Sequence, residues 1–200
     1  MHTKDRIFEA ALDLFSEKGF SATSVREITG RAGVTPGSLY NHFASKNDLL
    51  RAVYDHYTEL FIGPQAAPDY ESLLKEYGVM ELFHFLTESY IGAMRNEKLS
   101  RLTKIILMEQ YVNPVAADIA FRDRQRLVHS MEELFVTMAR LGYIQVRSPA
   151  VSGRMLAYVY LGFSADNIYD YYMRQKAPDE IAAQQNEAIE TFLKAILIIE

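Results

Sequence analysis

Thr35, Ser38, Tyr40, Asn41 and His42 crowd hydroxyl, amide and imidazole groups onto about two helical turns of chain. Groups of these types hydrogen-bond to phosphate oxygens and to the edges of bases. Pro36 and Gly37 stand among them, and a glycine lets a backbone come close to a ligand. Ser24 and Arg26 on one side and Lys46 on the other add a hydroxyl and two cations. The chemistry these residues suit is recognition of a polyanion. The alternative is a surface turn between two core helices, whose polar tips meet only water.

The neighbouring residues are those needed to hold such a group in place. Ser24 and Glu27 have the S-x-x-E spacing of a capping box, which starts a helix. Val25, Ile28 and Ala32 recur at three- and four-residue steps, giving that helix one apolar face. Gly33 supplies the backbone freedom of a sharp turn. Thr35 can cap the next helix, with Pro36 at its first position, where a missing N–H costs nothing. Val34, Leu39 and Phe43 are the apolar residues that can hold this second helix on a domain. Residues 24–43 therefore read as a helix-turn-helix, whose second helix can enter a DNA major groove.

The segments IFEAALDLFSEKGFSATSVREI and RAGVTPGSLYNHFASKNDLL resemble the tetracycline-repressor (TetR) family of bacterial transcription regulators. The resemblance covers about the first fifty-five residues and meets the family pattern at nearly every position. Thr29-Gly30 departs from it; the family usually has Ala and a polar or basic residue there. The resemblance implies that Thr35, Ser38, Tyr40 and His42, with Lys46 at the start of the following helix, contact DNA. Tyr40, His42 and Lys46 would serve phosphates, and Pro36, Gly37, Ser38 and Asn41 would approach base edges. Arg26 lies where the family sometimes makes a base contact. The resemblance also implies a homodimer and a small-molecule effector.

Composition narrows the classes. The 200 residues are 49% hydrophobic and 24% charged, as in an ordinary globular protein. The absence of cysteine excludes disulfides, thiolate metal sites and a cysteine nucleophile. Histidines 2, 42, 56, 84 and 129 have no metal spacing, and no G-x-S-x-G, H-E-x-x-H, P-loop or G-x-G-x-x-G occurs, so neither enzyme, metal nor cofactor is expected. The longest uncharged run of the second half, Met155 to Ala165, is too short to span a bilayer. No signal peptide precedes the charged first helix, and a cytoplasmic protein is expected. The net charge of −5 argues against loose, charge-driven DNA binding. Residues 1–60 hold seven Lys/Arg against eight Asp/Glu. Phosphate contacts should then draw on hydroxyls, backbone N–H groups and helix N-termini.

The expected fold is all-α, about nine helices. Lys4 to Lys18 forms the first, ended by Gly19, and the fourth runs from Ser45 to about Phe61. Helices over 1–61 make the DNA-binding head, and 62–200 an effector-binding and dimerisation domain. Gly63, Pro64, Pro68, Pro114, Pro149 and Pro178 divide the latter into helical blocks of about 70–95, 98–111, 115–141, 150–176 and 179–199. Gly142 ends the third of these. In the first block Tyr77, Glu81, His84, Glu88 and Arg95 form a polar stripe read as a solvated face. Glu81 and His84 have the Glu-x-x-His spacing of di-iron bundles, but no second copy exists.

Large, adaptable side chains in several blocks suggest an apolar effector pocket lined by Met80, Phe83, His84, Met108, His129, Phe135, Tyr158 and Phe163. Phe85, Met94, Met131 and Met138 belong to the same set. Ordinary core packing is the competing explanation. Block 150–176 is apolar or aromatic almost all round, so it should be buried on more than one side. With the last block it could build a four-helix interface between two copies through Tyr169, Ile189, Phe192 and Ile196. The leading reading is a homodimeric repressor released from a palindromic DNA operator by a small, largely apolar effector. An activator, or a helical ligand-binding protein without effector-controlled repression, is the alternative.

Overall fold

The computed structural model describes residues 2–61, 68–144 and 152–197. Gly63, Pro64, Pro149 and Ile199 lie outside the described residues. The described chain is all-α: α1 Thr3–Lys18, α2 Val25–Ala32, α3 Pro36–Tyr40, α4 Lys46–Phe61, α5 Tyr70–Tyr77, α6 Val79–Arg95, α7 Glu97–Glu109, α8 Pro114–Arg140, α9 Gly153–Arg174 and α10 Pro178–Ile196. Pro36, Pro114 and Pro178 each open a helix, where the missing N–H would have had no partner. Ten helices stand among the described residues because block 70–95 is divided. Gly78 takes φ +79°, a left-handed value cheap only for glycine, and its N–H closes on the Leu74 carbonyl at 3.0 Å. That ends α5 and lets α6 start in a new direction.

The helices form two units. The first holds α1 to α4, α7 and α8 as far as Asp123. Its core is built from Ile7, Leu12, Phe15, Ile28, Leu39 and Leu49, all fully buried. Packing thus joins residues 97–123 to the head, although residues 65–96 of the other unit intervene in the chain. Tyr57 of α4 donates to Asp123 at 2.9 Å.

The second unit holds α5, α6, α8 from Arg124, α9 and α10. α6 and α10 run antiparallel: Arg95 bonds Asp179 at 2.5 Å, and His84 Nε2 lies 3.5 Å from Glu190 Oε1. The core is a net of rings. Phe83 lies 5.3 Å from Tyr160 and 5.9 Å from Phe135, and Phe192 lies 6.0 Å from Phe135 and 5.9 Å from Phe163. Most of these pairs meet edge to face, the arrangement that ring quadrupoles favour. Leu156, Ala157 and Tyr160 turn α9 inward. Its other side shows Met155, Tyr158, Val159, Tyr169 and Met173, each at least 41% exposed. Within one chain, then, α9 is covered on one side only.

Candidate nucleic-acid interface

The helix-turn-helix is assembled from local bonds. Ser24 and Glu27 form the expected reciprocal cap: Glu27 N–H donates to the Ser24 hydroxyl at 3.3 Å, and Ser24 N–H to the Glu27 carboxylate at 2.8 Å. Lys18 also bonds that carboxylate. These contacts, Lys18 first and the Ser24 backbone and hydroxyl next, hold the Glu27 carboxyl down to about 2. Thr29, the departure from the family pattern, turns its hydroxyl back onto the Val25 carbonyl at 3.0 Å, and α2 continues to Ala32.

Gly33 ends α2 in the left-handed conformation (φ 63°, ψ 39°). Its N–H bonds Gly30 O and the next N–H, of Val34, bonds Thr29 O, a Schellman turn. Arg6 reaches from α1 to donate to the carbonyls of Ala32 and Gly33. A Cβ on residue 33 would stand 2.8 Å from that guanidinium. Thr35 caps α3, accepting from Ser38 N–H at 3.3 Å. Leu39 and Phe43 are buried and Val34 is half-buried, so the three anchor α3 as expected.

The face left outside carries Thr35, Pro36, Gly37, Tyr40, Asn41 and His42, all exposed, with Ser38 half-covered. Tyr40 is 55% exposed, so it is not a core residue. A Cβ on Gly37 would meet nothing closer than its neighbour Thr35 at 3.8 Å, so the α3 backbone is open to close approach. Ser24 and Arg26 are exposed on the adjoining helix.

Charge is placed sparingly here. Arg31 bonds Glu17, Lys18 bonds Glu27, and Arg51 lies 4.0 Å from Asp48. Arg6 is held by carbonyls. Lys46 is held too: its ammonium donates to Phe20 O at 2.9 Å and Thr23 O at 2.7 Å, and sits 4.1 Å from the Phe20 ring centre. At most one of its three protons remains for a phosphate. Among the described residues, the Arg26 side chain has neither an acid nor a carbonyl for a partner. Lys4, which sequence reasoning passed over, stands over the Phe43 ring at 5.9 Å and is exposed. Its proximity to the α3–α4 turn depends on how α1 packs, which no local pattern reveals.

Of the eight residues expected to line a pocket, four meet in one cluster and four do not. Phe83 and Phe135 are fully buried against one another; Met80 and Phe163 flank their cluster. His84 is half-exposed at the α6–α10 seam, with its Nε2 buried, while His129 and Tyr158 face outward. Met108 belongs to the first unit. Phe85 is 66% exposed. An open groove of about 870 Å³ lies along α9 and α10 and takes in only Phe163 of the eight. Its lining includes Phe163, Asp166, Asp170, Arg174, Glu187 and Thr191 over a floor where buried Asn167 donates to buried Gln185. Of the expected interface residues, Tyr169 and Phe192 line this groove, Ile196 is half-buried, and Ile189 is fully enclosed by its own chain. Among the described residues no cluster of three or more His, Asp or Glu could hold a metal, and no helix is long and apolar enough to cross a membrane.

Two short helices about a Schellman turn, with an open polar face on the second, define a helix-turn-helix protein of the nucleic-acid-binding class. Residues 7–53 match the family model of bacterial regulatory proteins, tetR family. Over 162 residues it is 27% identical to the uncharacterized HTH-type transcriptional regulator YerO of Bacillus subtilis, covering 66% of this chain and 56% of YerO. The head alone, over 50 residues, is 48% identical to the HTH-type transcriptional repressor Rv3405c of Mycobacterium tuberculosis, covering 25% of this chain and 27% of that one. The chain thus spans just over half of one curated relative and about a quarter of the other. In three dimensions it resembles SmeT, the repressor of the Stenotrophomonas maltophilia multidrug efflux pump SmeDEF, with a TM-score of 0.69 at 21% identity over 99% of this chain and 92% of SmeT. SmeT has also been solved with triclosan.

Proposed function

We propose that the protein is a homodimeric transcriptional repressor that binds a palindromic DNA operator and is released by a small, largely apolar effector. The observation that carries the DNA reading is the exposed face of α3, with its hydroxyl, phenol, amide and imidazole groups, together with Arg26 on α2, an exposed cation with no acid partner among the described residues. Tyr40 and His42 serve phosphates, Lys46 is the phosphate cation with the least freedom, and Pro36, Gly37, Ser38 and Asn41 approach base edges. Residues 1–61 are the DNA-binding domain and residues 62–200 supply dimerisation and effector binding. The protein works in the cytoplasm, where its DNA is.

Two copies pair through the outward side of α9, which leaves Met155, Tyr158, Val159, Tyr169 and Met173 uncovered in one chain. A dimer sets two recognition helices one turn of DNA apart, about 34–36 Å, and so favours a palindrome. The effector enters the ring net around Phe83 and Phe135, where Met80, Met131 and Met138 can repack. It releases DNA only as far as it prefers one arrangement of the heads over the other.

Gel-shift of a duplex spanning the region upstream of its own gene tests the reading: retardation is expected, and its absence over all such duplexes overturns it. Tyr169→Glu and Met173→Glu test the dimer, because they place charge on exposed positions and spare the core. Sedimentation should show monomers with weakened DNA binding; dimers of wild-type stability would move the interface elsewhere.

A further inference from the structure

α7 follows α1 in parallel register. Lys98 Nζ lies 3.1 Å from Glu9 Oε1, and Arg101 bonds Asp13. Met108 Cε lies 3.5 Å from where a Cβ on Gly19 would stand. Glu109 Oε1 accepts the Phe20 N–H at 3.3 Å. Partners in this ladder are 88 or 89 residues apart throughout. It ends at Gly19–Phe20, the turn between α1 and α2 that leads into the helix-turn-helix.

Glu109 is 7% exposed, and a carboxylate that deep must be matched by donors or lose the solvation it gave up. Its partner is the backbone N–H of Phe20, a residue gripped again at its own carbonyl by Lys46, which also takes Thr23 O. The Phe20 ring packs edge to face on buried Phe15 at 5.4 Å and lies beneath the Lys46 ammonium. Thr23 donates to Gly19 O at 2.8 Å, closing the turn. Ser24, the α2 cap, follows directly.

We propose that Glu109, on the last turn of α7, is a positioning residue for the DNA-binding surface: with Lys46 it holds Phe20 by its N–H and its C=O, and so fixes where α2 begins. α7 lies far outside the helix-turn-helix in sequence, yet its final carboxylate sets the angle at which α2 and α3 are presented. This rests on the DNA-binding reading above.

The test compares wild type, Glu109→Gln, Glu109→Leu and Glu109→Asp as full chains, binding the upstream duplex at a temperature where the variant has wild-type circular dichroism. Gln keeps an acceptor oxygen on the same stem and should bind within about threefold of wild type. Leu keeps the bulk without an acceptor and should bind about tenfold or more weakly, with faster exchange of the Phe20 amide hydrogen. Asp keeps the charge but is one methylene short, and should behave as Leu does. Rescue by Gln is what a mere loss of packing would not give. If Leu fails to fold, Asp decides. Wild-type affinity in a folded Leu or Asp variant overturns the inference while leaving the DNA reading intact. A wild type that retards no duplex overturns both.

Discussion

The exposed faces of α3 and α9 are uncovered for opposite reasons. On α3 the polar groups that show are set by neighbours a few residues away: Thr35 bonds Ser38, Leu39 and Phe43 anchor from beneath, and Arg6 pins the turn. That face is complete in one chain and waits for a polar surface. On α9 the residues that show are Met155, Tyr158, Val159, Tyr169 and Met173, which gain from leaving water. Nothing local decides whether such a side chain is core or interface. The exposed face of α3 can therefore be altered with effects on recognition alone, whereas changes to the ring core of the second unit reach its stability first.

The largest expected effect would sharpen that contrast. Phe135 touches Phe83, Tyr160 and Phe192 and is fully buried. Phe135→Ala should lower unfolding free energy by about 3–5 kcal/mol, in the range of buried aromatic truncations. Chemical denaturation would show it. A loss under about 1 kcal/mol would mean that the ring net is loosely packed, and would favour a preformed effector cavity there.

Lys46 and Arg26 come next, and they could break the contrast. Lys46→Ala strips two backbone carbonyls of a charged donor and should reduce stability by about 2 kcal/mol. Arg26→Ala removes a side chain with no acid or carbonyl partner among the described residues. It should leave stability within about 0.5 kcal/mol but weaken operator binding by about 1–3 kcal/mol if it reads a base edge. Salt titration separates the roles. Each phosphate that a variant no longer neutralises flattens the slope of log affinity against log salt by about 0.9. Should Lys46→Ala leave the slope untouched while lowering stability, Lys46 is purely a clamp on the turn before α2.

Legibility followed the same divide. The capping box at Ser24, the turn at Gly33, the cap at Thr35 and the proline at position 36 are short-range signals, and each stands in the structure where the sequence puts it. Gly78 was equally local, but a helical pattern on both sides hid it; the positive φ explains why a glycine sits there. Residues that meet across the fold left no such trace. Nothing near Lys46 shows that its ammonium turns inward to Phe20, nor that Glu109 meets the same residue from α7. Ile189 and Tyr169 both fit an apolar stripe, yet one is enclosed and the other 60% exposed, because rotation about a helix axis depends on its partners. The aromatic and methionine residues read as pocket lining show the same ambiguity: Phe83 and Phe135 face inward while Phe85 and Tyr158 do not, and periodicity neither separates the two nor says whether the buried ones leave a space.

The smallest effect concerns acid and the start of α2. Glu27 is exposed, but Lys18 and the Ser24 backbone and hydroxyl hold its carboxyl at about 2 against an ordinary 4.5. A carboxylate whose folded pKa is depressed contributes stability that is present above the unfolded value and disappears as pH falls through the folded one. The cap therefore supports α2 fully at neutral pH and progressively less between about pH 4.5 and 2. Glu27→Gln can keep an acceptor for Ser24 N–H but has no charge for Lys18 or for the helix N-terminus. Wild type should be slightly the more stable at about pH 7, and the gap should narrow as pH falls toward about 2. Thermal unfolding of the two chains at about pH 7, 4 and 2.5 would show it. Because the group is solvent-exposed, about 1 M salt should shrink the gap at neutral pH as well. A gap that is constant across pH and insensitive to salt would assign the role of Glu27 to packing of its stem rather than to charge.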